Sequence, residues 1–118
     1  MSEKIKSFAN HIYSAIGPGQ SERVYHNAME VMLRKNNIQY ETERIIPIHF
    51  EGHVIGNMRA DLIVENNLIV ELKSTRTLNG VMKQQLENYI SLTGIPNGIL
   101  VSFPQIKNES CEFIEKIM

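Results

Sequence analysis

An aspartate, a glutamate and a lysine interrupt the apolar stretch RADLIVENNLIVELKS, residues 59–74. Asp61, Glu71 and Lys73 sit among Leu, Ile and Val, in what read as two strands joined by a short Glu-Asn-Asn turn. A charge inside a buried strand is costly unless it is paired or binds a metal. Mg²⁺ takes hard oxygen ligands and keeps several waters, so one or two carboxylates plus a substrate phosphate suffice to hold it. Glu71 and Lys73 are two apart and point to one face of a strand. Lys73 could then position the attacking water, or neutralise charge developing on the phosphorus oxygens. The chemistry implied is metal-dependent phosphodiester cleavage. The plain alternative is a set of solvated charges on an exposed sheet face.

Whether Asp61 joins the other two depends on strand register. A two-residue turn at Asn66-Asn67 pairs Glu65 with Leu68 and sends Asp61 to the wrong face, opposite Leu72. A three-residue loop, Glu65-Asn66-Asn67, pairs Val64 with Leu68, Ile63 with Ile69 and Leu62 with Val70, and sets Asp61 opposite Glu71. The second register is expected, with Asn67 taking the left-handed conformation. It also sets Arg59 opposite Lys73, a like-charge pair that anions between them would stabilise. Crowding of like charges should raise the carboxyl pKa values of Asp61 and Glu71 without metal.

The elements that must position these residues follow from periodicity. Ile5, Phe8, Ala9, Ile12 and Ile16 predict an amphipathic helix over 3–16, stopped by Gly17-Pro18-Gly19. Ser21 caps a second helix with Val24, Ala28, Val31 and Met32 as its apolar stripe. Segments 40–50 and 54–58 read as strands around Glu51-Gly52, and 59–65 and 68–74 as the charged hairpin. Leu62, Val64, Leu68, Val70 and Leu72 line one face, Ile63 and Ile69 the other, so the hairpin is covered on both sides. A helix over 78–93 carries Leu78, Met82, Gln85, Tyr89 and Leu92 in one stripe, and Gly94 closes it. Residues 98–103, GILVSF, form a further buried strand, and a short helix is expected over 109–117. The order ααβββαβα gives an α/β domain with a mixed four-stranded sheet.

Gln85 and Tyr89 share a helical face, where Gln85 could buttress the site and Tyr89 contact nucleic acid or orient a catalytic group. The bland reading is a tyrosine at the core edge beside a half-exposed glutamine. Gly17-Pro18-Gly19-Gln20-Ser21-Glu22 fails the dinucleotide pattern, since Glu22 stands at the third glycine position and a helix precedes it; no Walker loop is present either. Glu22 suits the helix dipole, or reaches the site as a third carboxylate. His11, His26, His49 and His53 show no metal-ligand spacing on one element and read as surface or turn residues. Cys111, in the expected terminal helix, reads as a small core residue.

The segment Gly19-x-x-Glu22-x-x-Tyr25 resembles the name-giving motif of the GxxExxY protein family, which is similar to the PD-(D/E)xK nuclease superfamily. The resemblance spans nearly the whole chain, through Asp61, Glu71-Leu72-Lys73, the Gln85-x-x-x-Tyr89 helix and GILVSF. It implies a three-layer, restriction-endonuclease-like αβββαβ core preceded by an extra N-terminal helix. It implies Mg²⁺, with Mn²⁺ as an alternative, at Asp61 and Glu71, Lys73 as the catalytic lysine, Glu22 as an auxiliary acid, and Gln85 and Tyr89 flanking the site. Two positions depart from the family pattern: Tyr13 stands where a His is usual, and the last strand of the core ends in Ser102-Phe103-Pro104.

With 118 residues the chain holds one domain, 1–118, and a composition 42% hydrophobic and 21% charged is globular. A formal net charge of -1 counts against strong sequence-independent nucleic-acid binding. The single cysteine excludes an internal disulfide and fits a reducing cytosol. No apolar run approaches the roughly 18–20 residues that cross a bilayer, and the first residues lack a signal-peptide core, so a cytoplasmic, membrane-free protein is expected. Asn108-Glu109-Ser110 matches the glycosylation pattern, which carries no meaning inside a cell. The sequence thus points to a small Mg²⁺-dependent nuclease acting on DNA, with RNA as another substrate and a homodimer or protein partner to help hold a duplex. The competing reading is a non-catalytic nucleic-acid or protein interaction domain that keeps the fold.

Overall fold

The computed structural model describes residues 1–75, 77–107 and 109–117. Asn108, the first residue of the glycosylation-like triplet, lies outside them. Helix α1 (Ser2–Ile16) buries Ile5, Phe8, Ala9 and Ile12, and Gly17 ends it at φ 72°. Helix α2 (Glu22–Lys35) starts at Ser21, whose side chain accepts from the Val24 amide. Its fully buried residues are Tyr25, His26, Met29 and Leu33; of the expected stripe, Ala28 and Met32 pack against the same core. Val24 and Val31 are 39% and 43% exposed. The larger Tyr25-Met29-Leu33 row at i, i+4, i+8 fills the space above the sheet, turning the two valines outward.

Strand β1 (Tyr40–Phe50) and strand β2 (His53–Val64) form a long hairpin. Glu51 and Gly52 both take positive φ at its turn, 50° and 79°, as a tight turn matched to strand twist requires. Residues 54–58 and 59–64 are one continuous strand. Strand β3 (Leu68–Lys73) pairs antiparallel with β2. Helix α3 (Gly80–Thr93) is capped by the Asn79 side chain, which accepts from the Met82 amide at 3.0 Å, and is closed by left-handed Gly94. It carries the chain across to strand β4 (Asn97–Ser102), parallel to β3. The sheet runs β1-β2-β3-β4-β5.

The last strand corrects the expected C-terminal helix. Residues Glu112–Lys116 form β5, antiparallel to β4, and make the sheet five-stranded. Phe113 packs into the core under α1 and α2 while Ile114 packs into the core under α3. Neighbouring side chains that face opposite layers need a strand, not a helix. Cys111 precedes this strand, half-buried, with its thiol pushed up to about 11 by burial.

Two apolar layers sandwich the sheet. One joins α1 and α2 to Leu62, Val64, Leu68, Val70, Leu72, Ile99, Val101 and Phe103. The other joins Leu86 of α3 to Ala60, Ile63, Ile69 and Leu100. A Cβ on Gly98 would stand 2.6 Å from Leu86 Cδ1, so that glycine lets α3 lie close on β4. Gln85 is exposed and Leu92 is 45% exposed. The packing stripe of α3 is Met82, Leu86, Tyr89 and Ile90.

Candidate metal centre

The hairpin adopts the three-residue-loop register: Val64 pairs with Leu68, Ile63 with Ile69 and Leu62 with Val70. The left-handed residues of its turn are Glu65 and Asn66, at φ 54° and 51°, not Asn67. The Asn67 amide instead closes the turn on the Val64 carbonyl at 3.0 Å. Beyond Leu62 the β2–β3 ladder stops. On the other side, the β1–β2 ladder passes from Thr42↔Leu62 to Arg44↔Ala60 with no rung at Asp61. Strand β2 is therefore released from both neighbours at Asp61.

Side chains occupy the gap. The Leu72 amide donates to Asp61 Oδ2 at 2.9 Å, and the Asp61 amide donates to Glu71 Oε1 at 3.4 Å. The two carboxyl groups lie within hydrogen-bonding reach of each other. Glu71 is 3% exposed. Burial, then the charge of Asp61, hold its carboxyl well above the usual carboxylate range, and the Lys73 charge acts in the opposite sense. Burial is thus the larger cause, ahead of the crowding that the sequence suggests. Arg59 and Lys73 do not face each other, because the ladder ends before them; Arg59 pairs with Ile45 of β1 instead.

A cleft of about 160 Å³ opens beside Asp61, walled by Glu22, Arg23, His26 and Leu72. The glycine corner builds its rim. Tyr25, fully buried, stacks on Phe103 at 4.1 Å and donates its hydroxyl to the Gly17 carbonyl at 2.7 Å. Ser74, just past β3, donates to the Gln20 carbonyl at 2.8 Å, and Gln105 Nε2 donates to both Ser74 Oγ and Gln20 O. These bonds tie the start of α2 to the end of β3. They bring Glu22 over the site, where its Oε2 accepts from the Ser74 amide at 3.4 Å.

A family profile described as the PD-(D/E)XK nuclease superfamily matches residues 1–114. The chain belongs to that superfamily. The GxxExxY subfamily is a finer assignment that this match does not reach. Among solved structures, the crystal structure of SSO0001 is similar, with a TM-score of 0.61 and 27% identity over 80% of this chain. The likeness covers 48% of that chain, so the present sequence spans about half its length. No curated protein matches.

PD-(D/E)XK nucleases generally use divalent metal ions, and the donor set here fits one. Asp61 and Glu71 offer hard carboxylate oxygens at one point of the β2–β3 hairpin. Among the described residues, no three His, Cys, Asp or Glu side chains gather closely enough to hold a metal by themselves. The fit rests on two carboxylates, with Glu22 across the same cleft. No helix among the described residues is long and apolar enough to cross a membrane.

Tyr89 stands beside this pair. Its hydroxyl donates to the Arg59 carbonyl at 2.7 Å, and its pKa is pushed up to about 12 by burial and then by the charges of Glu71 and Asp61. It pins the backbone two residues before Asp61. Gln85, one turn earlier on α3, is exposed rather than buried and does not need the partners expected for a buried glutamine. His26 is the residue that spacing misplaced. It is 5% exposed, with Nε2 2.9 Å from Thr42 Oγ1 and 3.1 Å from Glu30 Oε2. Arg23 in the cleft wall and the Ser74–Gln105 tie were not singled out from sequence. No spacing marks them, because their partners come from other elements.

Proposed function

We propose that this domain hydrolyses DNA phosphodiester bonds with Mg²⁺, or Mn²⁺, held by Asp61 and Glu71 and assisted by Glu22. The observation that carries the reading is the pairing of half-buried Asp61 with buried Glu71 at the point where β2 loses both rungs, with Lys73 close enough to act on Glu71. The bound metal would hold the scissile phosphate and lower the pKa of a water. Lys73 faces the same side of β3 as Glu71 and offers a positive charge to the attacking water or to the oxyanion charge of the phosphorane. Tyr89 keeps Asp61 in place through the Arg59 carbonyl, and Arg59 and Gln85 are exposed to contact the strand. A second copy or a protein partner would extend the surface that grips a duplex.

A non-catalytic interaction domain is the second reading, favoured by the formal net charge of -1. Calorimetric titration with Mg²⁺ and Mn²⁺, followed by nicking assays on plasmid and single-stranded DNA, separates the two. Wild type should bind metal and nick DNA. Lys73→Ala should bind metal but lose cleavage by about 10²-fold or more. Metal binding without Lys73-dependent cleavage would support the interaction domain, and absence of metal binding would remove the nuclease reading.

A further inference from the structure

Arg23 and Glu43 form an ion pair at the mouth of the Asp61 cleft, between α2 and β1. The pair is open to water, with the Arg23 side chain 57% exposed, and exposed ion pairs add little stability. Yet Glu43 sits in the middle of β1 at φ 57°, a conformation that L side chains resist. Its place in the β1–β2 register is the missing rung at Asp61. A left-handed, non-glycine residue that sets its carboxylate on Arg23, at the rung beside a candidate catalytic carboxylate, is an outlier of the kind that clusters at functional sites.

The geometry points to Arg23 as the residue that grips a backbone phosphate of the nucleic-acid strand, with the Glu43 carboxylate occupying that phosphate's place until substrate arrives. A guanidinium takes a carboxylate or a phosphate through the same forked donors. Asp61 and Glu30 also lie within electrostatic reach of Arg23, which lines the cleft with Glu22, His26, Asp61 and Leu72, and the charge of Arg59 acts on Glu43 more weakly than that of Arg23. An anionic strand entering the cleft must exchange with Glu43, which discriminates against weakly held anions. The inference rests on the DNA-cleaving reading and supplies its substrate contact.

The test measures anisotropy of a fluorescein-labelled DNA duplex in Mg²⁺, with all variants built on Lys73→Ala so that the duplex stays intact. Glu43→Gln should tighten binding by up to about fivefold. Arg23→Ala should weaken it several-fold and flatten the plot of log affinity against log salt by about 0.9, the loss of one phosphate contact. Arg23→Lys should keep the salt slope. In the Arg23→Ala background, Glu43→Gln should change nothing, because its gain acts through Arg23. With Lys73 restored, the same changes should appear in KM and leave kcat in place. A Glu43→Gln gain that persists without Arg23 is a general charge effect and overturns the inference. So does a salt slope unmoved by Arg23→Ala, or affinity unmoved by Glu43→Gln, while Lys73-dependent cleavage stands. Failure of every variant to bind DNA overturns the inference together with the nuclease reading.

Discussion

Glu71→Gln should make the metal-free protein more stable at neutral pH while abolishing the proposed metal site. Glu71 is 3% exposed, and its carboxyl sits well above the ordinary value of 4.5, through burial first and the Asp61 charge second. An acid with a higher pKa folded than unfolded keeps its proton in the native chain after the unfolded chain has lost its own. Its contribution to stability is undiminished below 4.5 and declines as pH rises between that value and the folded pKa. One proton sets the steepest slope at about 1.4 kcal/mol per pH unit. Glutamine keeps the shape and can still accept from the Asp61 amide, but has nothing to ionise. Urea unfolding in chelator from pH 5 to 8 should therefore show a gap in favour of the variant that widens with pH. Mn²⁺ titration of wild type should release a proton from Glu71 wherever that residue is protonated, and the variant should give no binding heat. A gap between the two proteins that stays flat across this pH range would refute the account of Glu71 as a buried, strained carboxyl.

Two further changes probe the elements that hold the site. Tyr89→Phe leaves the ring in the core and removes the 2.7 Å bond to the Arg59 carbonyl. It should cost about 0.5–1.5 kcal/mol in urea unfolding and weaken Mn²⁺ affinity measured by calorimetry. Gly98→Ala places a Cβ 2.6 Å from Leu86 Cδ1 and 3.2 Å from Ile90 Cδ1. It should cost about 1–3 kcal/mol by lifting α3, and unchanged stability in the same assay would show that α3 is not tightly seated.

The hairpin was legible because its two-faced apolar runs leave little freedom of register: a slip of one residue would swap Leu62 and Val70 with Ile63 and Ile69. The caps at Ser21, Asn79 and Gly94 belong to chemistry that acts within a few residues, which sequence records; Ser21 and Gly94 were read correctly, and Asn79 places the α3 start two residues later than expected. The face of α2 was legible only in part, since Val24 and Val31 compete with Tyr25 and Met29 on apolarity, and only the depth of the space over the sheet decides. Strand β5 was misread because Phe113-Ile114 is too short a pattern to separate a period of two from 3.6. The burial of His26, the left-handed Glu43 and the Arg23 pair depend on where β1 passes α2, information no local window holds.

The tie between Gln20, Ser74 and Gln105 bears on how the site comes into being. Asp61, Glu71 and Lys73 meet through a hairpin that closes over a short loop, and such local contacts form early. The cleft wall is different: it joins residues 54, 31 and 85 positions apart. Contacts of that separation carry a larger chain-closure cost and come late in folding. The segment that carries the acidic pair is synthesised before Gln105, whereas the rim that seats Glu22 and Arg23 over it needs Gln105. The wall of the cleft would thus be completed with the last part of the fold and not with the first.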